Sequence, residues 1–233
     1  MNSRKIKGGG KATIAFLHGW GHDMHAFAQI AGELDEYDRI LLDLPGFGQS
    51  PAPNKAWGVD DYAAAVLSEI SDVKGKVFVA GHSFGGKIAL ALANDVDGIF
   101  IIAGAGAPKR MSLLWRIYRA LAAIPRRLGI KDTRIGRRLR GADYADANGV
   151  MREILSKSLD FDAMRAARNV RVPATLAYGL SDTATPPYMG EKLSRAIKGS
   201  KLHILKGFDH NGILSAGKYQ IANIIRDGIN GVG

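Results

Sequence analysis

The chain has 233 residues, 46% of them apolar, enough for one α/β domain with an insertion and a large core. It contains no cysteine, which excludes disulfides, thiolate metal sites and cysteine nucleophiles. The formal net charge is +10, and the whole excess falls between Lys109 and Arg140, where eleven Lys or Arg accompany a single acid, Asp132.

The basic, glycine-rich start, Met1 to Lys11, is not followed by an apolar stretch of signal-peptide length, and no run approaches the roughly 20 apolar residues of a membrane span. A cytoplasmic, non-transmembrane protein is the expectation. Residues 12–17 (Ala-Thr-Ile-Ala-Phe-Leu) predict a central strand that runs into His18-Gly19-Trp20-Gly21. Helical spacing over 26–34 precedes a second apolar run, Arg39 to Leu42, and the turn-rich loop Asp43-Leu44-Pro45-Gly46-Phe47-Gly48-Gln49-Ser50. A helix is expected from Asp60, as N-cap, to Ile70. Strand Val77 to Ala80 meets Gly81-His82-Ser83-Phe84-Gly85-Gly86 and then a helical Lys87 to Ala93. Gly98 to Ala103 is another buried strand. Uniformly apolar strands alternating with helices predict a parallel sheet covered on both faces.

That rhythm stops from about Ala107 to Arg168. This part holds an amphipathic stretch, Ser112 to Ile124, then the basic segment, then a helical piece from Gly149 to Leu159. It reads as a helical cap, residues 107–168, inserted between core segments 1–106 and 169–233. The rhythm resumes with strand Val172 to Tyr178, helix Met189 to Ile197, strand Lys201 to Leu205 and a last helix from about Ala216 to Ile229.

Gly81-His82-Ser83-Phe84-Gly85 has the pattern Gly-x-Ser-x-Gly between a strand and a helix. On a sharp turn there, the hydroxyl projects from the sheet edge and the first helical amides point at charge developing beside it. The plain alternative is a turn with a helix-capping serine. A serine hydroxyl is a weak nucleophile and needs a base within hydrogen-bond reach, itself oriented by a carboxylate. His210, after the last strand, is the candidate base. Asp182, in the loop after the strand ending at Tyr178, is the candidate acid, with Asp209 its rival.

Five motifs in order carry a resemblance to the α/β-hydrolase family: His18 to Gly21, Asp43 to Ser50, Gly81 to Gly86, Gly179-Leu180-Ser181-Asp182-Thr183-Ala184-Thr185-Pro186, and Asp209-His210. It covers about residues 12–107 and 170–230 and is strongest toward small capped serine esterases, including those that demethylate a carrier-protein-bound ester. The resemblance implies a mostly parallel sheet with helices on both faces, and a carboxylic-ester hydrolase with a Ser83–His210–Asp182 triad and an acyl-enzyme intermediate. The backbone amides of Trp20 and Phe84 would form its oxyanion hole. Thioester or carbon–carbon cleavage by the same triad, and a non-catalytic carrier or ligand binder, remain open. The family usually opens with an antiparallel hairpin. Only about eleven residues precede the first strand here, so the expectation is about six strands without the hairpin.

His18 and the side chains of Trp20 and Phe84 are candidates to line the substrate site, although the two aromatics could equally pack. His18, His22, His25 and His82 are close in sequence, but no carboxylate or cysteine completes a metal set, and no cofactor is called for. The basic segment, with Arg137 and Arg138, has three readings: a solvated surface, a docking face for an anion such as an acyl-carrier protein or a carboxylate-bearing substrate, or an interfacial attachment to a membrane. Nucleic acid is disfavoured because no aromatic platform accompanies the charge.

Overall fold

The computed structural model describes residues 1–108 and 149–232. Its centre is a seven-stranded sheet in the order β1-β3-β2-β4-β5-β6-β7, parallel except for β1 at one edge. The strands are β1 (Asn2–Ile6), β2 (Thr13–Leu17), β3 (Asp38–Asp43), β4 (Val77–His82), β5 (Gly98–Ile102), β6 (Ala174–Gly179) and β7 (Lys201–Leu205). The described helices, numbered through the described residues, are α1 (Ala28–Gly32), α2 (Val59–Ile70), α3 (Phe84–Ala91), α4 (Gly149–Asp160), α5 (Ala163–Asn169), α6 (Pro187–Ala196), α7 (Gly212–Ser215) and α8 (Lys218–Asn230).

The uniform apolarity of the inner strands has a simple cause. Ala15 and Leu17 of β2 enter one core with α2, α3, α5 and α6, whereas Ile14 and Phe16 enter the opposite core with α1 and α8. With both faces covered, neither half of the two-residue period can be polar. The fold class expected from the sequence is the one observed. Among the described residues no helix is long and apolar enough to cross a membrane.

The strand count is a correction. Among the described residues seven strands form, not about six, because Asn2–Ile6 adds an antiparallel edge strand, in register from Asn2 opposite Asp43 to Ile6 opposite Arg39. It is a single strand and not a hairpin, so five residues suffice. Its polar sequence hid it: Ser3 Oγ bonds Glu69 at 2.7 Å, and Asn2 is pinned by its amide to Ser50 Oγ and by its side chain to Asp43 Oδ2, each at 2.7 Å. Arg4 and Lys5 are charges of the kind that blunt a sheet edge.

Smaller differences also have local causes. Helix α2 is capped from Gly58, whose N–H donates to the Asp61 carboxylate at 2.7 Å, and not from Asp60. The helix expected over 26–34 is a 3₁₀ turn, Met24–Phe27, followed by the single short helix α1. Within residues 107–168, α4 forms where a helix is expected. Lys157 Nζ donates to Ala56 O at 2.8 Å, and buried Lys87 of α3 donates to Ser158 O at 2.8 Å, so α4 is tied to the core at two points. The expected boundary at 168/169 falls at the end of α5, which packs on α3 and α6. The amphipathic stretch and the basic segment, with Arg137 and Arg138, lie outside the described residues.

Candidate active site

Strand β4 delivers Ser83 at the carboxyl edge of the sheet. Ser83 has φ 51° and ψ −106°, a conformation rare for a residue with a side chain. Such strain costs about 1–3 kcal/mol and persists only where the surroundings over-determine it. Here the Ser83 N–H donates to Ile102 O at 3.0 Å, and the Ser83 carbonyl accepts from the Gly86 and Ala105 amides, each at 3.1 Å. The flanking glycines are required by close approach: a Cβ on Gly81 would lie 2.2 Å from Gly85 O, and one on Gly85 would lie 2.1 Å from Leu17 O. Helix α3 starts at Phe84, so its first amides have no partner within the helix and carry the positive end of its dipole.

Asp182 and His210 come from the loops after β6 and β7. His210 Nδ1 lies 2.8 Å from Asp182 Oδ2, with the Asp182 side chain fully shielded and His210 partly exposed. Asp182 Oδ1 accepts from the Ala184 and Thr185 amides, each at 2.8 Å. Burial alone would raise its pKa, but the hydrogen bonds from His210 and from the Thr185 amide and hydroxyl outweigh that and hold it below the usual carboxylate value. Asp209, the rival acid, instead accepts from the Gly212 amide at 2.6 Å at the start of α7.

Thr185 is a site residue that the sequence reading missed. Its Oγ1 lies 2.8 Å from Asp182 Oδ2, 2.9 Å from Ala103 O and 3.1 Å from His210 Nδ1. The available signal was its place three residues after Asp182, where Asp and Thr fold back on local backbone. Ala103, with φ 46°, is the other non-glycine residue at positive φ among those described, and it touches the same cluster.

His18 is placed differently from the expectation. It is fully buried, its Nε2 accepts from the Leu44 amide at 3.0 Å, and its Nδ1 therefore carries the hydrogen donated to Gly19 O at 2.7 Å. Both nitrogens are committed, burial lowers its pKa, and no edge remains for a substrate. Because a trans peptide is planar, fixing the Gly19 carbonyl turns the Trp20 N–H the opposite way. Gly19 lies beside the nucleophile turn, since a Cβ there would come 3.4 Å from Ser83 Cβ.

The Phe84 side chain is 4% exposed and packs edge-on against Tyr62 and Trp20, with ring centroids 5.3 and 5.4 Å away. Trp20 is half-buried and also meets Phe47 edge-on at 4.9 Å. Of the two aromatics, Trp20 is the more exposed. His22 packs edge-on to His82, His25 is exposed, and among the described residues no three His, Asp or Glu side chains converge as metal ligands do.

A profile described as the alpha/beta hydrolase family matches residues 14–216. The chain belongs to the alpha/beta hydrolase family. The family, taken with relatives named as esterases and hydrolases, makes the chain a carboxylic-ester hydrolase, as its motifs led us to expect. A pimeloyl-[acyl-carrier protein] methyl ester esterase of Neisseria meningitidis serogroup C is 27% identical over 94% of this chain and 94% of its own length. A hydrolase of Klebsiella pneumoniae acting on 2-hydroxy-6-oxononadienedioate and the corresponding trienedioate is 24% identical over 87% of this chain and 82% of its own length. Among solved structures, an esterase from Exiguobacterium antarcticum superposes with TM-score 0.74 at 19% identity, covering 98% of this chain and 94% of that one, and it shows the shared fold.

Proposed function

We propose that this member of the family hydrolyses a carboxylic ester in two steps through an acyl-enzyme on Ser83. In the first step Ser83 Oγ attacks the ester carbonyl carbon while its proton passes to His210 Nε2, and the Trp20 and Phe84 amides receive the oxyanion. Collapse of the intermediate expels the alcohol, which takes that proton. Water, deprotonated by His210, then attacks the acyl-enzyme, the serine regains its proton, and the acid departs. Asp182 holds the imidazole in the Nδ1–H tautomer and stabilises the imidazolium.

The observation that carries this reading is the 2.8 Å contact between His210 Nδ1 and a fully shielded Asp182, in a chain whose sharp strand-to-helix turn bears a serine. His18 belongs to the same assembly as the group that orients the Trp20 amide, and Trp20 offers the substrate-facing aromatic surface. Ser83→Ala should abolish turnover of short p-nitrophenyl esters and labelling by a fluorophosphonate, with the unfolding midpoint unchanged. Undiminished turnover refutes the mechanism.

The names of the Neisseria meningitidis relatives support a finer reading, in which the ester is presented on an acyl-carrier protein. The cationic segment with Arg137 and Arg138 then supplies the docking face for that acidic partner. Exposed charges are screened beyond about 8–10 Å at physiological salt, so carrier-linked substrate should lose its advantage over free ester as salt is raised. An advantage indifferent to salt, or to neutralisation of Arg137 and Arg138, refutes this docking.

A further inference from the structure

His82 ends β4, one residue before Ser83, and none of it is exposed. Its Nε2 lies 2.9 Å from the main-chain oxygen of His210. A carbonyl only accepts, so Nε2 carries the hydrogen and donates it, which leaves Nδ1 bare. That Nδ1 is buried without a hydrogen-bond partner among the described residues. An apolar side chain of similar size would fill the same space with no orphaned nitrogen, so core packing does not explain a histidine here. The ring also lies against the imidazole of His210, with centroids 4.7 Å apart and planes inclined by 44°.

We propose that His82 is the positioning residue of His210, a donor mounted on the sheet that fixes the main chain of the base while Asp182 fixes the far side of its ring. This rests on the ester-hydrolase reading above. The base sits in the turn just before α7, where its two side-chain torsions alone would let the ring swing. One anchor at the Asp182 carboxylate leaves a lever free to pivot. A second anchor at the His210 carbonyl, held by a residue whose own place is set by the pairing of His82 with Ile102, determines where Nε2 goes.

The anchor must stay neutral to keep this role. The groups facing it are His210, His22 and Asp182, and burial, the largest influence, brings its pKa down to about 3. It therefore holds one hydrogen, on Nε2, wherever a histidine base works. It also places no second positive charge beside the imidazolium. The space is exclusive to it, because a Cβ on Gly19 would come 2.9 Å from His82 Nδ1.

The test compares His82→Gln, whose amide NH₂ reaches as far as Nε2, with His82→Met, which has the same length and no donor. Ester kinetics, fluorophosphonate labelling and unfolding midpoints are measured on both, on wild type and on Ser83→Ala. Misplacement of a catalytic group by about 1 Å can cost ~10²-fold, so the Met variant should lose at least about tenfold in kcat with KM within about twofold. The Gln variant should recover to within about threefold of wild type. Should the Met variant not fold, His82→Asn, whose amide stops short of the carbonyl, takes its place with the same expected loss. A folded donorless variant with wild-type kcat overturns the proposal, as does a Gln variant that loses as much as Met. Wild type that fails to label at Ser83 overturns the ester-hydrolase reading itself, whereas labelled wild type beside an indifferent Met variant overturns the positioning role alone.

Discussion

Lys87→Met isolates the energetics of the joint between α3 and α4. Lys87 is 7% exposed, donates to Ser158 O at 2.8 Å, and has no carboxylate partner among the described residues. Burial lowers its pKa from 10.5 to about 8. The unfolded chain therefore binds this proton up to about pH 10.5, and the folded chain only to about pH 8. Below pH 8 the full penalty on the folded state applies, about 3 kcal/mol at 1.36 kcal/mol per pKa unit. Between pH 8 and 10.5 the unfolded state holds more protons, so this group makes stability rise with pH. Met keeps the length of the stem and removes the charge. It also forfeits the charge-assisted bond to a carbonyl in the last turn of α4, worth about 1.5–3 kcal/mol. The net change at pH 7 should thus lie between neutral and about 2 kcal/mol stabilising. Relative to wild type the variant should become less favourable by about 2–3 kcal/mol between pH 7 and pH 10, whatever the absolute offset. Urea unfolding of both proteins at the two pH values measures this. An effect of the substitution that is the same at pH 7 and pH 10 would refute the claim that the buried amine titrates low.

Two further substitutions probe the carboxylate side of the site. Thr185→Val keeps shape but removes the hydroxyl whose one hydrogen Asp182 Oδ2 and Ala103 O share, leaving these two buried acceptors with one donor fewer; a stability loss of about 1–3 kcal/mol is expected in denaturant titration, with a fall in kcat. Asp182→Asn should lower kcat by about 10³–10⁴ with the fold intact, because an amide NH₂ facing His210 Nδ1 favours the wrong tautomer. Since the pKa of Asp182 is depressed in the folded state, its contribution to stability is complete above the unfolded carboxylate value and is lost as pH falls through the folded one. An acid-unfolding curve of the Asn variant should therefore be the flatter of the two.

The sheet was legible because burial on both faces leaves a strong mark: β2, β4, β5 and β6 have almost no position free to be polar. β1 left no such mark. It is held by its backbone ladder and by Asn2 and Ser3, and hydrogen bonds to distant partners have no local pattern. The α2 cap was misread by two residues because Asp60 and Asp61 stand side by side, and only the fold decides which carboxylate turns back to Gly58. Ser83, Asp182 and His210 stood out as candidates because few residue types can act as nucleophile, acid and base. Thr185, and the roles of His18 and His82, did not stand out, since their partners are main-chain carbonyls, a carbonyl and a carboxylate, or an amide far along the chain.

Those three residues share a logic that links fold to chemistry. Each sits one to three positions from a candidate reacting group: His18 before the Trp20 amide, His82 before Ser83, Thr185 after Asp182. Each is buried, so each has few ways to place its polar atoms, and each turns at least one of them on a peptide or a carboxylate beside a candidate reacting group. Ser83 and Ala103 stay at positive φ for the same reason, with the Ala103 amide bonded to Ala177 O and its carbonyl to Thr185. Orientation in this site is thus enforced by burial: a loosened ring or turn would strand a donor or acceptor away from water, at about 1–3 kcal/mol each. A variant that lets water reach His18, His82 or Thr185 should lose catalytic geometry well before it loses the fold.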